Sequence, residues 1–255
     1  MGVLVTILLF FGLAGFLTWY LLAKDRGERE PAGALWIALG FGFLAVIGAA
    51  FLESALLPED ILTSSGVTAS NAGSMLLVGI IEESLKFVPL AFYIYRKRYF
   101  NEHTDGILYF ALAGIGFGLP ENILYTVGLG TGAGIGRLIL TPFFHAATTA
   151  IPGYYLAKTK VEHRSMKSVF VAFGAVLLLH ALYDFGLASG LAILVIVSLV
   201  ITLLLSINLF RLGAIAKADD QAMGLSVVGT NTFCRSCGYP NPEHKLYCQH
   251  CGKHA

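Results

Sequence analysis

An all-α, polytopic membrane bundle of about seven spans, followed by a small cysteine-bearing module, is the fold class that this 255-residue sequence predicts. Three observations carry the prediction. Apolar residues make up 56% of the chain and charged residues 13%, about half the roughly 25% charged share of soluble domains, and mean hydropathy is +0.73. Seven apolar stretches are long enough to cross a hydrocarbon core of about 30 Å, which takes roughly 20 residues. All four cysteines fall after Phe233, in two C-x-x-C pairs. This composition excludes a secreted disulfide scaffold, a disordered tail protein and an ordinary cytosolic enzyme. The net charge of +1 argues against nucleic acid as a partner, because that normally needs a basic surplus.

The predicted spans are Val3–Ala23, Gly33–Leu57, Ala72–Tyr95, Gly106–Gly128, Leu138–Ala157, Ser168–Ala188 and Leu191–Leu212. The first has no basic n-region and no small-x-small cleavage site, so it reads as a retained helix and not a secretion signal. The odd-numbered loops carry Lys24, Arg26, Arg29, Arg96, Lys97, Arg98, Lys158, Lys160, Arg164 and Lys167, and the even-numbered loops only Arg137. Basic residues favour the cytoplasmic side. The N-terminus is therefore expected outside and the C-terminus in the cytoplasm, with Arg211 and Lys217 in agreement. The outer loop Pro58–Asn71 opens with Glu59 and Asp60 and reads as turns. Gly128 to Gly136 reads as a flexible outer loop, lacking the lysine of a phosphate-binding loop. Trp19, Tyr20 and Trp36 read as interface anchors.

The chain divides into residues 1–213 as the helical domain, 214–231 as a polar linker and 232–255 as the terminal module. Cys234, Cys237, Cys248 and Cys251 can surround one tetrahedral zinc, and a reducing cytoplasm disfavours disulfides. Gly238 and Gly252 follow the two pairs, where a tight turn needs a permissive backbone. With no ligand position left open, this zinc is structural. His244, His250 and His254 carry little weight as ligands. The segment resembles the zinc ribbons appended to many bacterial membrane proteins.

Ionisable groups at bilayer depth are costly and are candidates for function. The third span holds Glu82, Glu83 and Lys86, the fourth Glu121 and Asn122, the fifth His145, the sixth His180 and Asp184. At 1.5 Å per residue, Glu83 lies about 15 Å, Glu121 and His145 about 10 Å, His180 about 12 Å and Asp184 about 6 Å below the outer face. Four helices thus place carboxylates and imidazoles in one slab of the outer half, which predicts a polar cavity open to the extracytoplasmic side. Glu82 and Glu83 stand i,i+4 and i,i+3 from Lys86, and His180 stands i,i+4 from Asp184, spacings that share a helix face. Pro120, Pro142 and Pro152 are expected to kink their helices nearby. Gly114, Gly116 and Gly118 thin the fourth span for a close neighbour. Bland readings stand beside these. A Glu–Lys pair can be a neutralised structural pair, His145 and His180–Asp184 can simply be packed, Glu53 lies near the interface, and Asn122 and Tyr125 read as supports for the site's residues or as packing.

Glu82-Glu83-Ser-Leu-Lys86 fits E-E-x-x-K, Phe117-Gly-Leu-Pro-Glu121 fits F-x-x-x-E, and His180-Ala-Leu-Tyr-Asp184 fits H-x-x-x-D. With His145 between the last two, the ordered set resembles the PrsW group of bacterial intramembrane proteases, related to the CAAX prenyl protease and bacteriocin-processing superfamily. The resemblance covers roughly Leu76–Phe185. It implies endoproteolysis, in a bacterial cell membrane, of a single-span membrane-anchored substrate such as an anti-sigma factor, cut on its outer side.

Peptide hydrolysis needs an activated water, a stabilised oxyanion and a protonated leaving amine. No Ser–Lys or Ser–His pair lies at a comparable depth. The base role falls to Glu82 or Glu83, with Glu121 as a second carboxylate. His145 and His180 bind a metal or stabilise the oxyanion, Asp184 orients His180 or adds a ligand, and Lys86 keeps a glutamate ionised. Two versions stand open: glutamate-activated water without a metal, or a catalytic divalent metal held by His145, His180 and a carboxylate. The competing functions are a proton-coupled transporter, which also uses buried carboxylates and histidines, and a non-catalytic sensor whose zinc ribbon binds a cytoplasmic partner.

Overall fold

The structure, a computed structural model, describes residues 2–24, 30–58, 67–138, 141–225, 234, 236–239, 247, 248 and 250–253. Arg26, Arg29, Glu59, Asp60, His244, His254 and the tail from 226 to 233 lie outside the described residues. The described residues form eight helices: α1 (Val3–Lys24), α2 (Ala32–Leu56), α3 (Ala69–Ile94), α4 (His103–Leu129), α5 (Thr131–Leu138), α6 (Thr141–Val161), α7 (Lys167–Ala188) and α8 (Ala192–Ala222). Seven of them correspond to the seven predicted spans. Five (α1, α2, α4, α7 and α8) are long and apolar enough to cross a membrane by composition alone. The other two, α3 and α6, are 26 and 21 residues long. Polar residues that they bury, including Glu82, Glu83, Lys86 and His145, lower their hydropathy.

Three expectations need correction. Thr131–Leu138, within the stretch read as a flexible loop, is the helix α5. Glycines are poor helix formers, but Arg137 ties this turn to α4 through Asn122. The second correction concerns α8, which continues to Ala222, through residues expected in the linker. Its extension is rich in Ala, Lys and Asp and is pinned by a buried Asp220. Third, Pro142 stands in the first turn of α6, where a missing N–H costs nothing and breaks no turn, while Pro120 and Pro152 lie inside the continuous helices α4 and α6.

Helix α4 is the axis of the molecule. Every residue from Gly106 to Gly118 is buried, as expected for a helix apolar all round. It packs against α1, α2, α5, α6 and α8. Its buried start requires partners for its free N–H groups. Asp105 Oδ2 accepts from the backbone N–H groups of Asn101 and Glu102. Asp220, from the far end of α8, accepts from those of His103 and Thr104. His103 then donates to or accepts from Asp220 and Glu162 at 2.6 and 2.9 Å, clamping α4, α6 and α8 together at one end. The outer helices turn apolar side chains outward, such as Trp36, Phe51 and Phe170, as a lipid-facing surface does.

At the clamped end, the terminal module meets the bundle. A Cβ placed on Gly238 would lie 2.7 Å from the Tyr99 ring and 3.3 Å from Pro31, so the module packs on the α3–α4 turn and the start of α2. Gly238 and Gly252 have φ of 68° and 70°, the left-handed turns expected after each C-x-x-C.

Candidate active site

Four helices bring their polar residues together toward the end opposite the module. On α3, Glu82, Glu83 and Lys86 are all buried. The ammonium of Lys86 donates to Glu83 Oε1 at 2.6 Å and lies 3.5 Å from Glu82 Oε2. It also faces His145 Nδ1 of α6 at 3.1 Å and stands over the Phe117 ring of α4 at 4.3 Å. An ammonium can only donate, so His145 Nδ1 is the acceptor and a neutral His145 carries its proton on Nε2. That Nε2 faces Glu121 Oε2 of α4 at 2.7 Å. Both atoms are buried and neither is in hydrogen-bonding geometry with any group.

On α7, His180 Nδ1 lies 2.6 Å from Glu83 Oε1. Its Nε2 lies 3.2 Å from Asp184 Oδ2 and 3.6 Å from Glu82 Oε2. Glu83 and Lys86 therefore hold the inner nitrogens of both imidazoles and turn both Nε2 atoms toward carboxylates. Phe144 packs edge-on against His180 and stacks on Tyr183, fixing the ring plane. The approach of α4 to α6 depends on small residues. A Cβ on Gly114 would lie 2.1 Å from the His145 carbonyl oxygen, and one on Gly118 2.8 Å from its ring.

All seven intramembrane residues expected from sequence, Glu82, Glu83, Lys86, Glu121, His145, His180 and Asp184, thus form one continuous chain of contacts. Sequence reasoning missed Arg137. Its guanidinium donates to Glu121 Oε1 at 2.5 Å and to Asn122 Oδ1 at 2.8 Å and lies 3.9 Å from the Tyr125 ring centroid. The available signal was its isolation, as the lone cation of the even-numbered loops. Of the two readings of Asn122 and Tyr125, support or packing, their contacts with Arg137 favour support. Glu53 of α2 presents a buried Oε1 with no partner.

Imidazoles and carboxyls are the donor types that ligate divalent cations. His180 Nδ1–H facing a carboxylate leaves Nε2 as a lone pair, and a lone pair between two carboxylates is repulsive unless a proton or a metal sits among them. Five carboxyl groups (Glu53, Glu82, Glu83, Glu121, Asp184) stand against two permanent cations (Lys86, Arg137). The ring centroids of His145 and His180 are 5.8 Å apart. The set is more spread than a closed cage. Among the described residues, the groups of three or more whose ligand atoms all lie within 4.8 Å are the four cysteines and His103, Glu162 and Asp219.

Residues 30–207 match the family described as "PrsW family intramembrane metalloprotease". The chain belongs to the PrsW family. Proteins named Protease PrsW are similar to it along most of their length. That of Bacillus subtilis (strain 168) is 32% identical over 172 residues, 67% of this chain and 77% of the relative. That of Geobacillus kaustophilus (strain HTA426) is 31% identical over 171 residues, 67% and 74%. That of Shouchella clausii (strain KSM-K16) is 36% identical over 149 residues, 56% and 68%. No solved structure matches the chain. This PrsW-family chain is a multi-pass membrane protease acting on a membrane-embedded substrate.

None of the module's four cysteines forms a disulfide. Cys234–Cys251 and Cys237–Cys248 sulfur pairs are each 3.6 Å apart. Tetrahedral zinc with Zn–S near 2.3 Å sets sulfurs about 3.8 Å apart, so the cluster has the dimensions of a metal site.

Proposed function

We propose that this protease cuts single-span, membrane-anchored proteins, such as an anti-sigma factor, on the extracytoplasmic side of a bacterial cell membrane. The observation that carries the proposal is the convergence of Glu82, Glu121, His145, His180 and Asp184 at the end of the bundle away from the cysteine module. The module end holds Arg96, Lys97, Arg98, Lys158 and Lys160, and a basic end is cytoplasmic. The N-terminus then lies outside, and the C-terminal ribbon, holding a structural zinc and free to meet a cytoplasmic partner, lies within.

Glu83 and Lys86 act as positioning residues, because Glu83 Oε1 is already engaged by both Lys86 and His180. His180, Glu82 and Asp184 would hold a divalent cation, with His145 and Glu121 facing them. Such a cation would supply Lewis-acid polarisation of the scissile carbonyl and a more acidic water. Glu121, paired with Arg137, takes the proton of the attacking water and returns it to the leaving amine, while the Nε2–H of His145 beside it orients the carboxylate.

Cleavage of a single-span substrate in proteoliposomes tests the proposal. Glu121→Gln and His180→Ala should each lower the rate by at least 10²-fold. Undiminished cleavage in both variants would remove the chemistry assigned here, and solute flux without cleavage would favour a transporter. Metal analysis of the chain with all four cysteines changed to serine should still find one ion, lost on His180→Ala.

A further inference from the structure

The module-side half of the bundle carries a second feature, remote from the candidate active site. Two adjoining cavities, of about 430 and 290 Å³, lie among α6, α7 and α8 and share Tyr155, Ser168 and Asn208. The first is an apolar trough floored by Ile151, Ala172, Val176, Leu179 and Leu205. It follows α7 from Ser168 to Leu179, about 16 Å at 1.5 Å per residue. The second caps it at the bundle end and is lined by Lys158, Arg164 and Arg211, with Lys167 at the shared rim.

The charges of this end are not balanced. Glu162 is engaged by His103, Lys158 and Arg164, and Asp219 by Lys158. Lys167 and Arg211 are exposed, and neither has an ion pair among the described residues. The first turn of α7 opens here without a side-chain cap, its N-cap residue being Met166, and helix starts favour anions. A cationic, donor-rich head end joined to a narrow apolar trough at the membrane boundary has the chemistry of one ligand class.

We propose that this groove is a binding seat for an anionic phospholipid of the module-side leaflet, its phosphate among Lys167, Arg211 and Arg164 and one acyl chain along α7. The seated chain would end at Leu179, one residue before His180 on α7.

The test uses the full-length chain in nanodiscs of phosphatidylcholine with increasing phosphatidylglycerol, reading lipid retained in native mass spectrometry and the thermal unfolding midpoint. The expected result is preferential retention of one phosphatidylglycerol and a midpoint that rises with its fraction. At about 1 kcal/mol per cation, or roughly fivefold each, Lys167→Gln with Arg211→Gln should weaken retention about 25-fold. Ala175→Phe, which fills the trough, should weaken it with the cations intact. Equal retention of both lipids would mean only an annular shell and would overturn the proposal. Loss in the charge variant but not on filling the trough would reduce it to a surface basic patch. Displacement by millimolar inorganic phosphate would make it an anion site without a lipid. A copurified single-span polypeptide lost on Ala175→Phe would give the groove to substrate.

Discussion

Lys86 shows how much a single buried side chain can organise. It is fully buried and touches Glu83, Glu82, His145 and the Phe117 ring. Replacing it by Met takes the one permanent cation away from Glu83 and leaves that buried carboxylate to His180 alone, a defect of the kind that costs about 3–5 kcal/mol. Lys86→Met should therefore unfold at a clearly lower temperature in detergent, while Lys86→Arg should recover part of the loss without restoring activity, because a planar guanidinium cannot reproduce a point donor to His145. Arg137 is the complementary case. Arg137→Lys loses the paired bonds to Glu121 and Asn122 and the stacking on Tyr125. A charged hydrogen bond is worth about 1.5–3 kcal/mol, so cleavage should fall about 10–100-fold with little change in melting. The residues of this site differ in how visible they are in the sequence. Glu82, Glu83, Lys86, Glu121, His180 and Asp184 stand out because charge inside an apolar stretch is conspicuous. Arg137 does not, because it lies in a glycine-rich stretch that resembles a loop until its partner on α4 is known. The division of labour between Glu82 and Glu83 is also hidden, since adjacent residues point to different faces only once the neighbours are in place.

Helices α4 and α6 hold the site by close contact, and their glycines set the spacing. Gly114→Ala would drive a methyl group into the His145 backbone, 2.1 Å from its carbonyl oxygen. Overpacking of this kind costs about 1–3 kcal/mol, and the variant should lose thermal stability and activity together. The clamp at the other end of α4 makes a different prediction. Burial opposes ionisation of Glu162, but the hydrogen bond from His103 and the charges of Lys158 and Arg164 outweigh it and hold the carboxyl below its usual 4.5. A carboxylate whose folded-state pKa is depressed contributes stability above its unfolded value and loses it as pH falls through the folded one. The melting advantage of the parent chain over Glu162→Gln should be full at pH 7 and shrink below about pH 4.5. The existence of seven spans was legible because each needs an unbroken apolar run. The eight-residue α5 and the last ten residues of α8 were not, because tertiary anchors, Arg137 on Asn122 and Asp220 on the start of α4, override weak local propensity.

The molecule as a whole joins two units of different physical origin. The bundle is held by apolar packing around α4, whereas the module, on the proposal of a structural zinc, draws its stability from metal. A strong chelator, or Cys237→Ser, should therefore abolish the protection of the module from protease while leaving the helical circular dichroism of the bundle unchanged. Loop charges carry an expectation of orientation, whereas the docking of the module on Tyr99 and Pro31 was not readable, because no local pattern encodes a contact made through shape.

Glu83 binds Lys86 within α3 and His180 from α7, and this has a bearing on biogenesis. Synthesis proceeds from the N-terminus at about 5–20 residues per second, so the acids of α3 and α4 enter the translocon well before the imidazole of α7 exists. A nascent chain inserted only through α6 carries five of the seven residues and lacks His180 and Asp184. On the chemistry proposed above, the emerging enzyme stays silent beside its neighbours until its seventh helix has arrived.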